Sequence, residues 1–266
     1  MLESKRVFAL SLFGLAVLAS PLVGQRNDDY WGDTERFEKP RVFIGGAFTV
    51  ADPVGEFGSL VDNGFGVTGH VRFAADRQGI FSLRLDGGFV QYGNERLPVC
   101  FEGVGCRVVA DLVTTNNIAF LDAGPELGFD LGAVRPYAGV SAGLSYFHTN
   151  SSLEEYDYYD GGSAFTTVNF EDVTFALRAR GGMQFRVSNG HNPVYLDFGA
   201  VFHRNGFAEY LREGDIEDNA DGSVTLFPNF TEADLVTFQL GVSVGLGGGR
   251  DDGHRDRGRR GRHPRH

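Results

Sequence analysis

From Arg41 to residue 247 the chain repeats one pattern: apolar and polar residues alternate one for one, in segments of strand length. In the last of them Val236, Phe238, Leu240, Val242, Val244 and Leu246 share one face, and Thr237, Gln239, Gly241, Ser243 and Gly245 share the other. Segment 172–187 sets Val173, Phe175, Leu177, Ala179, Gly181, Met183, Phe185 and Val187 against Thr174, Ala176, Arg178, Arg180, Gly182, Gln184 and Arg186. Segment 135–148 separates Ala138, Val140, Ala142, Leu144 and Tyr146 from Gly139, Ser141, Gly143 and Ser145. A period of two is the mark of a strand whose faces meet different surroundings. Strands are expected near 41–51, 64–75, 80–92, 117–131, 135–148, 172–187, 193–205 and 234–247, each long enough to cross a bilayer when tilted, which takes roughly 9–11 residues.

The polar faces carry ten charges: Arg72, Arg84, Arg178, Arg180 and Arg186 against Asp86, Asp122, Glu126, Asp130 and Asp197. None of the apolar-face residues quoted above is charged. A charge facing lipid costs about 2–4 kcal/mol at the bilayer midplane, which is reason enough for such a column. Periodicity alone does not say which face points outward, because a soluble barrel would show its polar face to water. Composition decides it. Lys occurs only at Lys5 and Lys39, the polar faces are rich in Gly and Ser, and their charges balance in sign. Small residues and paired charges suit the narrow interior of an eight-stranded barrel. Connection lengths agree: short turns near Asp76–Gly79, Gly132–Val134 and the run SNGHN alternate with long connections at 52–63, 93–116, 149–171 and 206–233. The expected fold is all-β: an eight-stranded antiparallel transmembrane up-and-down β-barrel over 41–247, with long extracellular loops and short periplasmic turns.

The flanks fit export. Lys5 and Arg6 precede an apolar run from Val7 to Ala19, too short to span a bilayer, so residues 1–24 read as a secretory signal. Residues 25–40 are a polar linker. Residues 248–266, GGRDDGHRDRGRRGRHPRH, are expected to be a disordered Arg- and His-rich tail on the periplasmic side, where anionic head groups could hold it. The two cysteines, Cys100 and Cys106, are expected to form a local disulfide in an exported protein. A net charge of −11 excludes nucleic acid as a partner of the body of the chain.

The Gly/aromatic alternation of VFIGGAF (42–48) and YAGVSAGLSYF (137–147) resembles the outer-membrane β-barrel domain family that includes OmpA-type barrels. The resemblance implies an outer-membrane location and a role in envelope integrity, adhesion or surface interaction, without catalysis. The last segment departs from the family by ending at Leu246 with a Gly run behind it. Pro125, inside the fourth segment, predicts a distorted rung, since a closed barrel has no edge to hide a residue lacking an N–H.

Other candidate sites are weaker. TNSSLEEYDYYDGGSAF (149–165) mixes Glu154, Glu155, Asp157 and Asp160 with Tyr156, Tyr158 and Tyr159, a composition suited either to protein or glycan contact or to a solvated interfacial loop. Glu217, Asn219, Asp221 and Gly222 follow the first half of a calcium loop, but Pro228 stands where a bidentate Glu belongs. The run Phe202–Gly206 is similar to the His-bearing strand of lipid A deacylases, with Asn205 in place of the Ser nucleophile. His203 and His70 are therefore expected to be interior hydrogen-bonding residues. No metal, cofactor or catalytic residue is assigned. The expected partners are outer-membrane lipid and an extracellular protein or glycan at the loops. The expected function is a plugged, charge-paired barrel; a passive small-solute pore is the runner-up and a lipid-modifying enzyme the third reading.

Overall fold

A computed structural model describes residues 40–100, 109–155, 163–188, 192–219, 221 and 223–246. The period-two segments form β1 (Val42–Pro53), β2 (Gly64–Ala74), β3 (Phe81–Cys100), β4 (Val109–Gly128), β5 (Val134–Glu155), β6 (Ser163–Ser188) and β7 (Val194–Asn205). A short helix, α1 (Phe57–Leu60), lies between β1 and β2. The last connection contains four short strands, β8 (Phe207–Tyr210), β9 (Ile216–Asp218), β10 (Val224–Leu226) and β11 (Asn229–Glu232), before β12 (Leu235–Leu246). Chain-adjacent long strands pair antiparallel, and β12 pairs with β1, so β1–β7 and β12 close into the expected eight-stranded barrel.

The stagger of that closure follows from the register. A rung followed from Ala51 through Thr237, Val201, Arg180, Gly139, Glu126, Ser82 and Ala74 returns to β1 at Arg41, ten residues from its start. Such a stagger tilts the strands by roughly 40° and leaves a bore that side chains can fill. At one end the turns are tight. Asp76 Oδ1 accepts the Phe81 N–H at 2.7 Å, its Oδ2 accepts those of Gln78 and Ile80, and Gly79 supplies the positive φ.

The long-connection end differs from expectation. Much of 93–116 and 149–171 is strand: β3 to β6 run 20, 20, 22 and 26 residues, against 11 or 12 for β1, β2, β7 and β12. An extra residue in β3, Tyr92, and one in β6, Asn169 opposite Thr149 and Asn150, explain why the pattern of those two strands breaks there, since an extra residue moves the side chains beyond it to the other face. The fourth strand ends at Gly128, short of residue 131. At Pro125 the β4–β3 ladder continues, but on the β5 side pairing lapses between Ala123↔Ala142 and Glu126↔Gly139. The register is unchanged across the gap, so the distorted rung is confined to Gly124 and Pro125.

The molecule is inverted relative to a water-soluble domain. Phe48, Val67, Leu121, Val140, Phe175 and Leu177 are all at least half exposed, whereas Arg72, Arg84, Glu126 and Arg178 are no more than 3% exposed. Contiguous apolar surface on this scale has no place in water, where patches rarely exceed a few hundred Å².

Candidate functional site

The inward residues of β2 to β7 bring nine charged side chains together in the bore. Their cross-strand register sets like beside like: Arg72 lies opposite Arg84, and Asp86 opposite Asp122. Like charges directly opposite repel, so each pair needs a counter-charge from elsewhere. Glu126 serves the arginines. Its Oε2 accepts from Arg84 Nη1 at 3.0 Å, its Oε1 from Arg135 Nη1 at 3.0 Å, and Arg72 Nε lies at 3.8 Å. Arg180 serves the aspartates from β6, across the bore, donating through Nη1 to Asp86 and through Nη2 to Asp122 Oδ1 at 2.7 Å. Arg84 Nε completes Asp86 at 2.9 Å, and Arg178 Nη1 approaches Asp122 Oδ2 at 3.2 Å.

Neutral groups extend the network. Asp197 accepts from the Tyr137 hydroxyl at 2.8 Å and from Gln184 Nε2 at 2.9 Å. Arg178 Nε donates to His203 Nδ1 at 2.8 Å, which leaves the ring proton on Nε2, directed at Thr237 Oγ1 3.0 Å away. Arg178 Nη2 donates to Ser145 Oγ, and Ser145 donates to Asn205 Oδ1, both at 2.7 Å. Asn205 is thus fully engaged, with its amide donating to the Ala233 carbonyl. His70 is interior as expected, but its buried Nε2 has no hydrogen-bond partner among the described residues; Gly45 leaves its ring room, since a Cβ there would lie 2.3 Å from it.

Above the charges, toward the long-strand end, the bore is apolar. Phe57 of α1 is wholly buried, edge-on to Tyr210 at 4.9 Å and to Tyr92 at 5.5 Å between ring centroids. Ala51, Val90, Ile118, Phe147 and Leu235 from the barrel strands and Ala208 and Ala233 from the last connection join the cluster. Polar bonds hold that connection down: Tyr92 donates to the Leu211 carbonyl, the Asn94 N–H to Glu213 and the Gly214 N–H to Glu95. The bore therefore carries an apolar layer over an ionic one, with Phe120 between them, its ring under the Arg178 guanidinium at 4.8 Å and edge-to-face with His203 at 5.2 Å.

Of the ten charges expected inside, Arg72, Arg84, Asp86, Asp122, Glu126, Arg178, Arg180 and Asp197 are buried in the bore. Asp130 and Arg186 are not. They pair with each other at 3.1 Å at the turn end, each side chain about a quarter exposed, because β4 stops before Asp130. Although β6 adjoins β7, Arg178, Arg180 and Arg186 do not bond Asp197; they pair with Asp86, Asp122 and Asp130 of β3, β4 and the turn after β4 instead. Arg135 was missed. It is buried, bonded to Glu126 and Gln184, and could have been found because it is in phase with Gly139 and Ser141. The apolar layer was missed as well, since Phe57 and Tyr210 lie in connections without periodicity.

Asp221 and Asn219 are committed to a hairpin turn, where Asp221 Oδ1 accepts the Ser223 N–H and hydroxyl and Asn219 donates to Ser223 and Thr225. Among the described residues no cluster of His, Cys, Asp and Glu could hold a metal. The signal, linker and tail, the Cys100–Cys106 pairing and the tyrosines at 156–159 lie outside the described residues.

No protein-family model and no curated protein matches the sequence. Solved structures similar to it include Neisserial surface protein A, at 17% identity over 77% of this chain and 97% of that one, with a TM-score of 0.45. Ail, the attachment invasion locus protein of Yersinia pestis, in complex with the heparin analogue sucrose octasulfate, is similar at 14% identity over 77% and 98%, with a TM-score of 0.42. The N-terminal β-barrel domain of Pseudomonas aeruginosa OprF is similar at 13% identity over 77% and 98%, with a TM-score of 0.30. At these identities and scores none of them is evidence for what this chain does.

Proposed function

We propose that the chain is an outer-membrane β-barrel that does not conduct, and that acts in envelope structure or surface interaction through the end where β3 to β6 project. One observation carries the proposal: apolar side chains cover the outside of a closed barrel, while the inside holds ion-paired charges beneath an apolar layer. An apolar exterior is what a bilayer solvates, and a strand can cross one only where closure satisfies its backbone. A filled bore leaves no continuous water path, so the passive-pore reading falls behind.

The surface role rests on the projecting sheet. Eight or more extra residues in each of four strands carry it roughly 20 Å past the shorter strands. Several of its side chains are Ser, Thr and Asn bonded across strands: Thr114 with Ser151, Thr149 to Asn116, and Asn169 to Ser151. A stiff sheet rich in hydroxyl and amide groups suits contact with an extracellular protein or glycan.

Two measurements test the proposal. Protein refolded into phosphatidylcholine vesicles should migrate differently on a detergent gel before and after boiling, as a barrel that survives detergent does. Planar-bilayer recordings should then show no steady conductance. A stable, reproducible open channel from the unmutated chain would move the pore reading to first place.

A further inference from the structure

The outer wall is not smooth. A concavity of about 450 Å³, almost wholly apolar, opens on it where the β4–β5 ladder lapses at Pro125. Ala142 and Ala179 form a low floor between the ridges of Val140, Leu177 and Phe202. The volume is that of a small-molecule pocket, which typically holds 300–1,000 Å³. Its position is unusual for such a pocket, because every one of these side chains lies on the lipid-facing side of the barrel.

The concavity has a polar end. The outward face of β7 runs Val194, Leu196, Phe198, Ala200, Phe202 and then Arg204, which breaks the uncharged column and lines the groove. One rung joins the two ends, through Ala123↔Ala142, Ala142↔Leu177 and Leu177↔Arg204. With strands tilted by roughly 40° and about 4.8 Å apart, that rung climbs roughly 10 Å from β4 to β7. Arg204 is one residue from the long-connection end of β7, whereas Pro125 is three residues from the turn end of β4. The groove therefore descends from a guanidinium at the rim into the depth of the apolar wall. Among the described residues Arg204 makes no ion pair within 4 Å; the carboxylate its charge reaches is that of Asp234, just before β12.

We propose that this groove is a site for one anionic, phosphate-bearing membrane lipid: an acyl chain lies over Ala142 and Ala179, and Arg204 holds the phosphate. The chemistry is complementary at both ends. A guanidinium matches phosphate geometry bidentately and is weakly hydrated, which suits the edge of a bilayer. A lapsed rung with small side chains behind it lets an alkyl chain sit closer to the barrel than the surrounding lipid does. The unpaired strand groups at Gly124 and Pro125 are shielded by the same chain. This inference rests on the membrane-embedded reading proposed above.

The test uses full-length protein in phosphatidylcholine nanodiscs doped with phosphatidylglycerol that carries a photoactivatable group on its acyl chain. Mass spectrometry then maps the labelled residues. Labelling should concentrate on 121–127, 138–144 and 175–179 over the β1, β2 and β12 wall. It should exceed that from an equally photoactive phosphatidylcholine about fivefold, the factor expected from one basic residue near a membrane surface. Arg204→Gln should bring that preference to about one, and Ala142→Phe should remove the concentrated labelling with Arg204 in place; gel migration reports that each variant is folded. Even labelling around the wall, or a head-group preference unchanged in Arg204→Gln, overturns the site while leaving the barrel embedded. No labelling of any strand overturns the embedding, and the site with it.

Discussion

Glu126 is the residue on which the ionic layer depends most, and its replacement gives a graded test. Its carboxylate is essentially inaccessible and faces three guanidinium groups, at 3.0, 3.0 and 3.8 Å. In Glu126→Ala, Arg84 retains Asp86 and Arg135 retains Gln184, but among the described residues Arg72 keeps only Ser82 and the ring of Phe43. Removing one partner of a buried ion pair costs about 3–5 kcal/mol, because the remaining charge stays desolvated. With three cations sharing this carboxylate, the upper part of that range is expected. Glu126→Gln should recover little, since its amide must point a donor at one of those arginines. Asp130→Ala, which breaks the partly exposed pair with Arg186, should cost no more than about 1 kcal/mol. The assay is urea unfolding of protein refolded into phosphatidylcholine vesicles, followed by the shift between folded and unfolded bands on a detergent gel. A loss below about 1 kcal/mol for Glu126→Ala, or equal losses for Glu126→Ala and Asp130→Ala, would refute the claim that burial gives these pairs their weight.

Three further outcomes follow from the same structure. Val140→Arg, on the outward face of β5 and below the rung that carries Arg204, should lower folded stability in vesicles by about 2–4 kcal/mol, read by the same urea assay. Phe57→Ala should cost about 3–5 kcal/mol through the cavity it leaves in the apolar layer, and planar-bilayer recordings should show intermittent conductance absent from the parent. At the β2–β3 turn, loss of solvent works the other way, but the N–H groups of Phe81, Ile80 and Gln78 hold the Asp76 carboxyl below its ordinary 3.8. The stability this contributes is present above the unfolded pKa of about 3.9 and is lost as pH falls through the lower folded value. A carboxyl-resolved NMR titration in micelles checks it.

Alternation determined the number of long strands and sorted the residues of each onto two faces, because a period of two admits one backbone geometry; composition decided which face lines the bore, and the short and long connections decided the order. Alternation also located the turns at Asp76–Gly79 and Gly132–Val134, where Gly79 and Gly132 both adopt positive φ. Eight of the ten charges assigned to the interior are buried there for the same reason, and Arg135 was legible in phase though not counted. Which charge meets which was not legible. Adjacent strands place Arg72 beside Arg84 and Asp86 beside Asp122, so neighbour-by-neighbour reasoning finds only repulsion. Closure of the barrel with a stagger of ten brings Arg180 across to both aspartates, and that distance exists only in three dimensions. Extension of β3 past Gln91, and of β6 on the far side of Asn169, was hidden because a bulge costs one residue of phase. The apolar layer was hidden because Phe57 and Tyr210 reach the bore from connections whose course is fixed by packing. A strand's own sequence fixes the face each residue takes, since the pleat is local; partners across a bore depend on tilt and closure, which belong to the whole sheet.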